Sequence, residues 1–122
     1  MQKNISQMDT WQAAGRTCQI LVSPEVTGTG QVSALHVEFE PGQGTPIHTH
    51  EGIELMFVIE GEGVSIEDGK ENRIYANHVV LAPKGIPHGI VNGPDRPMRM
   101  LCVYVPPLPD EYIKTNYKKI EK

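Results

Sequence analysis

Residues 42–61 read GQGTPIHTHEGIELMFVIEG, and no other stretch restricts the possible folds of this chain as much. His48 and His50 stand two apart, and Glu54 follows four residues later. A β-strand sends residues i and i+2 to the same face, so both imidazoles can enter one cavity. On a straight strand their backbones would be about 6.6 Å apart, a gap that two imidazoles bridge to a common ion. Glu54 would then lie roughly 13 Å beyond His50, too far to share that ion. The chain must fold back between them, and Gly52 offers a flexible residue at which to do so. A further histidine, His88, comes in the phrase PKGIPHGIVN, where Pro83, Gly85 and Pro87 make a stiff approach.

The spacing of Gly42, His48, His50, Glu54 and Gly61 resembles the first motif of the cupins: a glycine, HxH, a glutamate and a closing glycine. Pro83, Gly85, His88 and Asn92 resemble the second, PxGxxHxxxN. The pattern departs at Asn77, which stands where a glycine usually opens the second motif; asparagine tolerates positive φ, so the turn survives. The resemblance spans residues 42–92. It implies an all-β chain folded as a double-stranded β-helix, or jelly-roll barrel, with a metal held by His48, His50, Glu54 and His88. It implies no single reaction, because one fold hosts many chemistries.

Three imidazole nitrogens and one carboxylate oxygen suit Fe, Mn, Ni, Co or Zn, and the lack of thiolate ligands argues against a purely structural zinc. One divalent transition metal per chain is therefore expected, with iron, manganese, nickel and zinc all open. Four protein ligands leave up to two positions on an octahedral ion for a substrate. Met56, Ile90 and Met100 are expected to line the pocket. No Arg or Lys cluster falls at an inward position, since Lys84 and Arg99 reach the rim at most, and this disfavours a sugar phosphate. Tyr104 and His36 are the candidate acids or bases. His36 shares a strand face with Glu38, which favours a solvated residue instead. The expectation is a metal-dependent enzyme for a small carboxylate or enediol-type chelator, with dioxygenase-like oxidoreductase chemistry. A non-redox isomerase or lyase, and a non-catalytic ligand-binding or sensing module, are the alternatives.

The remaining sequence fits one domain of 122 residues: an arm over 1–15, a barrel over 16–105 and a tail over 106–122. Ten prolines and twelve glycines favour strands and turns. Strands are predicted over 18–23, 32–40, 54–60, 64–66, 73–75, 79–82 and 98–105, within a total of nine or ten. Asp68-Gly69 marks a hairpin, residues 24–30 a turn, and His78 a surface turn. Met98, Met100, Cys102 and Tyr104 share one face of the last strand, and alternation alone leaves open whether that face is inward. Residues 110–119 fit a short helix, with a frayed tail as the alternative. A net charge of −4 gives no reason to expect nucleic acid, no apolar run is long enough for a membrane span, and the N-terminus lacks a signal-peptide core. A cytoplasmic protein with reduced Cys18 and Cys102 is expected. Similar small cupins pair through their sheets, so a homodimer is expected, with the Trp11 arm as a segment to cover a partner's edge strand.

Overall fold

A computed structural model describes residues 2–121. A 3-10 turn at Ile5–Gln7 precedes β1 (Trp11–Ala13), β2 (Arg16–Val22), the helical turn α1 (Pro24–Thr27) and β3 (Ser33–Phe39). Then come β4 (Ile53–Glu60), β5 (Glu62–Glu67), β6 (Lys70–Tyr75), β7 (Val79–Ala82), β8 (His88–Asn92) and β9 (Met98–Val105). Helix α2 (Asp110–Asn116) and β10 (Lys118–Lys119) end the order. All pairings are antiparallel, in one sheet ordered β10-β1-β2-β3-β9-β4-β7 and a second ordered β6-β5-β8. Isolated bridges from Gly44 to Val91 and from His48 to His88 lay residues 44–48 beside β8. This is the all-β jelly-roll architecture, with its core between the sheets.

Period-two alternation accounts for that core. Leu35, Val37 and Phe39 on β3, Met56 and Val58 on β4, and Met98, Met100 and Cys102 on β9 are all buried together. Burying one such side chain contributes about 1.5–3 kcal/mol, so a one-residue slip of register would expose several at once. The face of β9 that carries Met98, Met100 and Cys102 is therefore the inner one.

The hairpin between β5 and β6 turns on Asp68 and Gly69, with φ of 49° and 80°. Two successive positive values are what a two-residue hairpin turn with the correct twist requires. Both strands extend past the expected 64–66 and 73–75, because β6 buries only Ile74 and so reads as polar. Asn77 takes φ of 71°, carrying the turn in place of a glycine. Within residues 24–30 the turn contains one helical turn, α1, whose Val26 N–H donates to Ser23 Oγ at 3.0 Å.

The chain ends depart most from expectation. Strand β1 pairs with β2 on one side and β10 on the other, so the arm has no free strand edge with which to cover a partner. Within residues 106–121, α2 (Asp110–Asn116) falls inside the 110–119 stretch where a short helix is expected. Ile113 of α2 is buried in the main core and Tyr117 packs against it, while Ser23 Oγ–H donates to Asp110 Oδ2 at 2.6 Å. Among the described residues no helix is long and apolar enough to cross a membrane.

Candidate metal centre

His48, His50, Glu54 and His88 converge, their ligand atoms all within 4.8 Å of one another. His48 lies on the bridged segment beside β8, His88 opens β8, and Glu54 is the second residue of β4. The expected reversal after His50 is present, since His50 Nε2 is 3.0 Å from Glu54 Oε1. Gly52 serves it by its size. A Cβ there would stand 2.6 Å from the Val105 carbonyl oxygen and 2.9 Å from Pro106 Cδ, so only glycine lets the two segments pass.

Backbone carbonyls fix the imidazole tautomers. Nδ1 of His48 is 2.8 Å from Pro46 O, Nδ1 of His50 is 3.0 Å from Gly52 O, and Nδ1 of His88 is 2.8 Å from Ile86 O. A carbonyl only accepts, so each Nδ1 carries a proton and each Nε2 turns a lone pair inward. Yet Nε2 of His50 and of His88 stand 3.0 and 3.2 Å from one oxygen of Glu54. Lone pairs so close to a carboxylate repel unless positive charge lies among them, as extra protons on the rings or as a metal ion. Burial favours the neutral acid at Glu54, but hydrogen bonds from His50, His88 and Tyr104 outweigh it and hold the carboxyl at about 2. At His88 the hydrogen bond to Glu54 outweighs burial and raises the pKa, while burial lowers that of His48.

The donor set fits a metal. Two atoms each about 2.1 Å from one ion stand about 3.0 Å apart when they meet it at right angles. The two short distances to Glu54 Oε1 match that edge. Three nitrogens and an oxygen, with every second imidazole nitrogen anchored, are donors and supports that could hold a transition metal.

The centre opens on a cavity of about 80 Å³. Met56, Ile90 and Met100 line it together with Leu35, Val37 and Phe39. Such a volume is well below the roughly 300–1,000 Å³ of sites for drug-sized ligands, so it suits a molecule of few atoms. The cupin-domain family model matches residues 35–104, more than half of the chain and all four ligands. The chain is a cupin.

This cupin is 31% identical over 70 residues to the oxalate-binding protein of Thermotoga maritima, covering 57% of the chain and 58% of that protein. It is 34% identical over 70 residues to L-ectoine synthase of Bordetella parapertussis, covering 56% of the chain and 53% of that enzyme. The chain thus spans little more than half the length of these relatives. Among solved structures, the polyketide cyclase RemF of Streptomyces resistomycificus superposes with a TM-score of 0.79 at 21% identity. That match covers 100% of this chain and 86% of the other, and it bears on the fold alone.

Of the two candidate acids or bases, the cupin brings only Tyr104 to the centre. Its ring lies 5.6 Å from that of His50, and its hydroxyl donates to Glu54. Burial first, and the nearby Cys102 and Glu54 next, push its pKa well above the usual phenol value, so the proton stays on Oη. His36 faces the other way from Leu35 and Val37, outside the cavity. It is not solvated either: only 8% exposed, it holds its Nδ1 2.8 Å from Gln19 Oε1 and accepts from Arg99 Nε at 3.0 Å.

Arg16, Tyr112, Ile113 and Tyr117 also line the cavity, and none was anticipated. Arg16 was legible in principle. It shares the inward face of β2 with Cys18 and Ile20 once the strand is begun two residues earlier. The contribution of α2 and Tyr117 depends on a long-range packing that no local pattern announces.

Proposed function

We propose that this cupin is a metal-dependent enzyme acting on a small acid that chelates the ion through two oxygens, with dioxygenase-like oxidoreductase chemistry. The observation that carries the reading is the convergence of the His50 and His88 Nε2 atoms on Glu54 Oε1 at 3.0 and 3.2 Å while each Nδ1 is held by a backbone carbonyl, an arrangement that a divalent ion suits. His48, His50, Glu54 and His88 would hold the ion. When bound, such an ion supplies Lewis acidity toward a chelating oxygen pair, and iron also supplies an electron source for dioxygen. The chain's own part is to exclude water with the apolar wall of Leu35, Val37, Phe39 and Met56. Tyr104 keeps its proton and is therefore proposed as an acid, donating from Oη, and not as a base.

A second reading, a non-catalytic module that captures a small carboxylate, is favoured by the resemblance to an oxalate-binding protein. Non-redox lyase or isomerase chemistry is its counterpart among the enzymes. Elemental analysis of the protein purified without added metal or chelator, beside a Glu54→Ala control, is the deciding test. About one iron per chain, lost in the control, with oxygen uptake on adding an acid supports the oxidoreductase. Zinc alone supports lyase, isomerase or capture, and a protein that binds no metal overturns all three.

The free, buried Cys18 and Cys102 suit a reducing cytoplasm. The homodimer is proposed to form through the outer face of β4 and β7, where Ile53, Leu55, Val79 and Leu81 are exposed in one apolar patch. Among the described residues β7 pairs with β4 alone and ends its sheet, so this apolar face runs to the sheet's rim, where a second copy can lie against it.

A further inference from the structure

The cavity holds a fixed positive charge that the metal centre does not use. Among the described residues that line it, only Arg16 carries one. Its Nε–H donates to Tyr117 Oη at 2.8 Å, one Nη1–H reaches Gly44 O at 3.5 Å, and its guanidinium carbon lies 5.2 Å from the Tyr117 ring centroid. Among the described residues no carboxylate lies within 4.0 Å of it. A guanidinium has further N–H groups in a planar fork, and these remain for another partner. Arg16 is half-buried, and a cation partly withdrawn from water without a counter-charge is stabilised when an anion binds it.

Charge balance points the same way. With a divalent ion held by neutral imidazoles and Glu54, the centre keeps a surplus of one positive charge, and Arg16 adds another. A ligand with two anionic groups neutralises both. Apolar side chains such as Leu35, Val37 and Met56 share the cavity with the two charged groups and suit a short carbon chain between them. Tyr117 holds the guanidinium in place by both its hydroxyl and its ring face, so the fork is pre-organised.

We propose that Arg16, positioned by Tyr117, reads a second carboxylate on the substrate, so that the substrate class is a short dicarboxylic acid with a chelating oxygen at one end. This rests on the metal-centre reading, because the first carboxylate is placed on the ion. In this role Arg16 determines specificity, and Tyr117 is a positioning residue.

The test uses two probes with the same chelating head, malate and 2-hydroxybutanoate, which differ in a distal carboxylate against a methyl. Calorimetry on the Ni²⁺-loaded protein gives the ratio of their affinities, and metal content is measured in the same samples. The wild type is expected to prefer malate by about 10–100-fold, the range of a charge-assisted hydrogen-bonded pair. Arg16→Gln is expected to bring the ratio near one while leaving 2-hydroxybutanoate affinity and metal content unchanged, and Arg16→Lys to fall between. A wild-type ratio near one overturns the proposal whether or not the Arg16→Gln protein folds. So does a preference that survives Arg16→Gln, or an equal loss of both ligands. Failure to take up Ni²⁺ at all is a different result, since it removes the metal centre and this proposal with it.

Discussion

His48 and His88 exchange both of their backbone hydrogen bonds, each 3.0 Å long, across an isolated antiparallel bridge. One ligand of each sequence motif is thereby placed by the main chain, and the two rings, each anchored through Nδ1 to a backbone carbonyl, stand 4.5 Å apart. Removing an imidazole should therefore spare the scaffold. His48→Ala and His50→Ala are each expected to lower metal affinity by more than the roughly 10–100-fold typical of losing a supporting residue. The melting temperature of the metal-free protein should change little. Competition with a chromophoric chelator checks the first, circular dichroism the second. Unchanged stoichiometry in either variant would remove that residue from the site.

His36 should make stability depend on pH. Burial first, and the Arg99 guanidinium second, lower its pKa in the folded state. Unfolded, it titrates near about 6.5, so below that pH the unfolded chain binds a proton that the folded chain refuses. This contribution to stability is present above pH ~6.5 and is lost as pH falls through and below it. Urea unfolding of the metal-free protein at pH 7.5 and 5.5 should show a smaller drop for His36→Gln than for wild type. An identical drop means that His36 is not the source.

Both thiols should be inert in the native state. Burial, only partly offset by Arg16, pushes the Cys18 thiol up to about 12, and burial raises that of Cys102 well above its usual value. The thiolate is the reactive form. Iodoacetamide at pH 8 is expected to modify neither residue in native protein and both in urea, as counted by intact mass.

Asn92 belongs to the second motif but touches no ligand. Its Nδ2 donates toward the carbonyls of Phe39, Glu40 and Arg96 at 3.2, 3.0 and 2.8 Å. Asn92→Ala should leave those buried acceptors short of donors and cost about 1–3 kcal/mol. Metal affinity should hold. A large fall in affinity with unchanged stability would assign Asn92 to the centre instead.

The outer face of β4 and β7 yields a test of assembly. Val79 and Leu81 are 61% and 53% exposed in the single chain. Leu81→Glu should convert a two-chain particle to one chain in sedimentation velocity. A wild type that sediments as one chain at tens of micromolar would remove the proposed interface.

What could be read from the sequence follows the range of the forces involved. His48, His50, Glu54 and His88 were legible because motif spacing, strand parity and ligand chemistry are local, and Met56 and Ile90 followed from the same parity, whereas for Met100 parity left the face open until β9 was seen paired between β3 and β4. For His36 parity indicated the face that the structure shows. The expected solvation was wrong because Gln19 and Arg99 arrive from neighbouring strands whose pairing is invisible in one dimension. The polar composition of β6 concealed half of that strand, since only residues 73–75 of Lys70–Tyr75 were expected. Arg16 and Tyr117 are 101 residues apart, and only closure of the barrel end by α2 makes them neighbours.

That separation sets the cavity's cation apart from the segment the family model matches. Everything that would grip the ion lies between residues 48 and 88, inside the 35–104 segment shared with the family. The Arg16–Tyr117 clasp lies outside that segment at both ends. Replacement of the flanks can thus retarget the cavity to another guest without disturbing its reactive centre. If Arg16 reads the substrate as proposed, likeness over the shared segment reports how such proteins hold an ion and shape the cavity wall, and leaves out the contact that selects a second carboxylate.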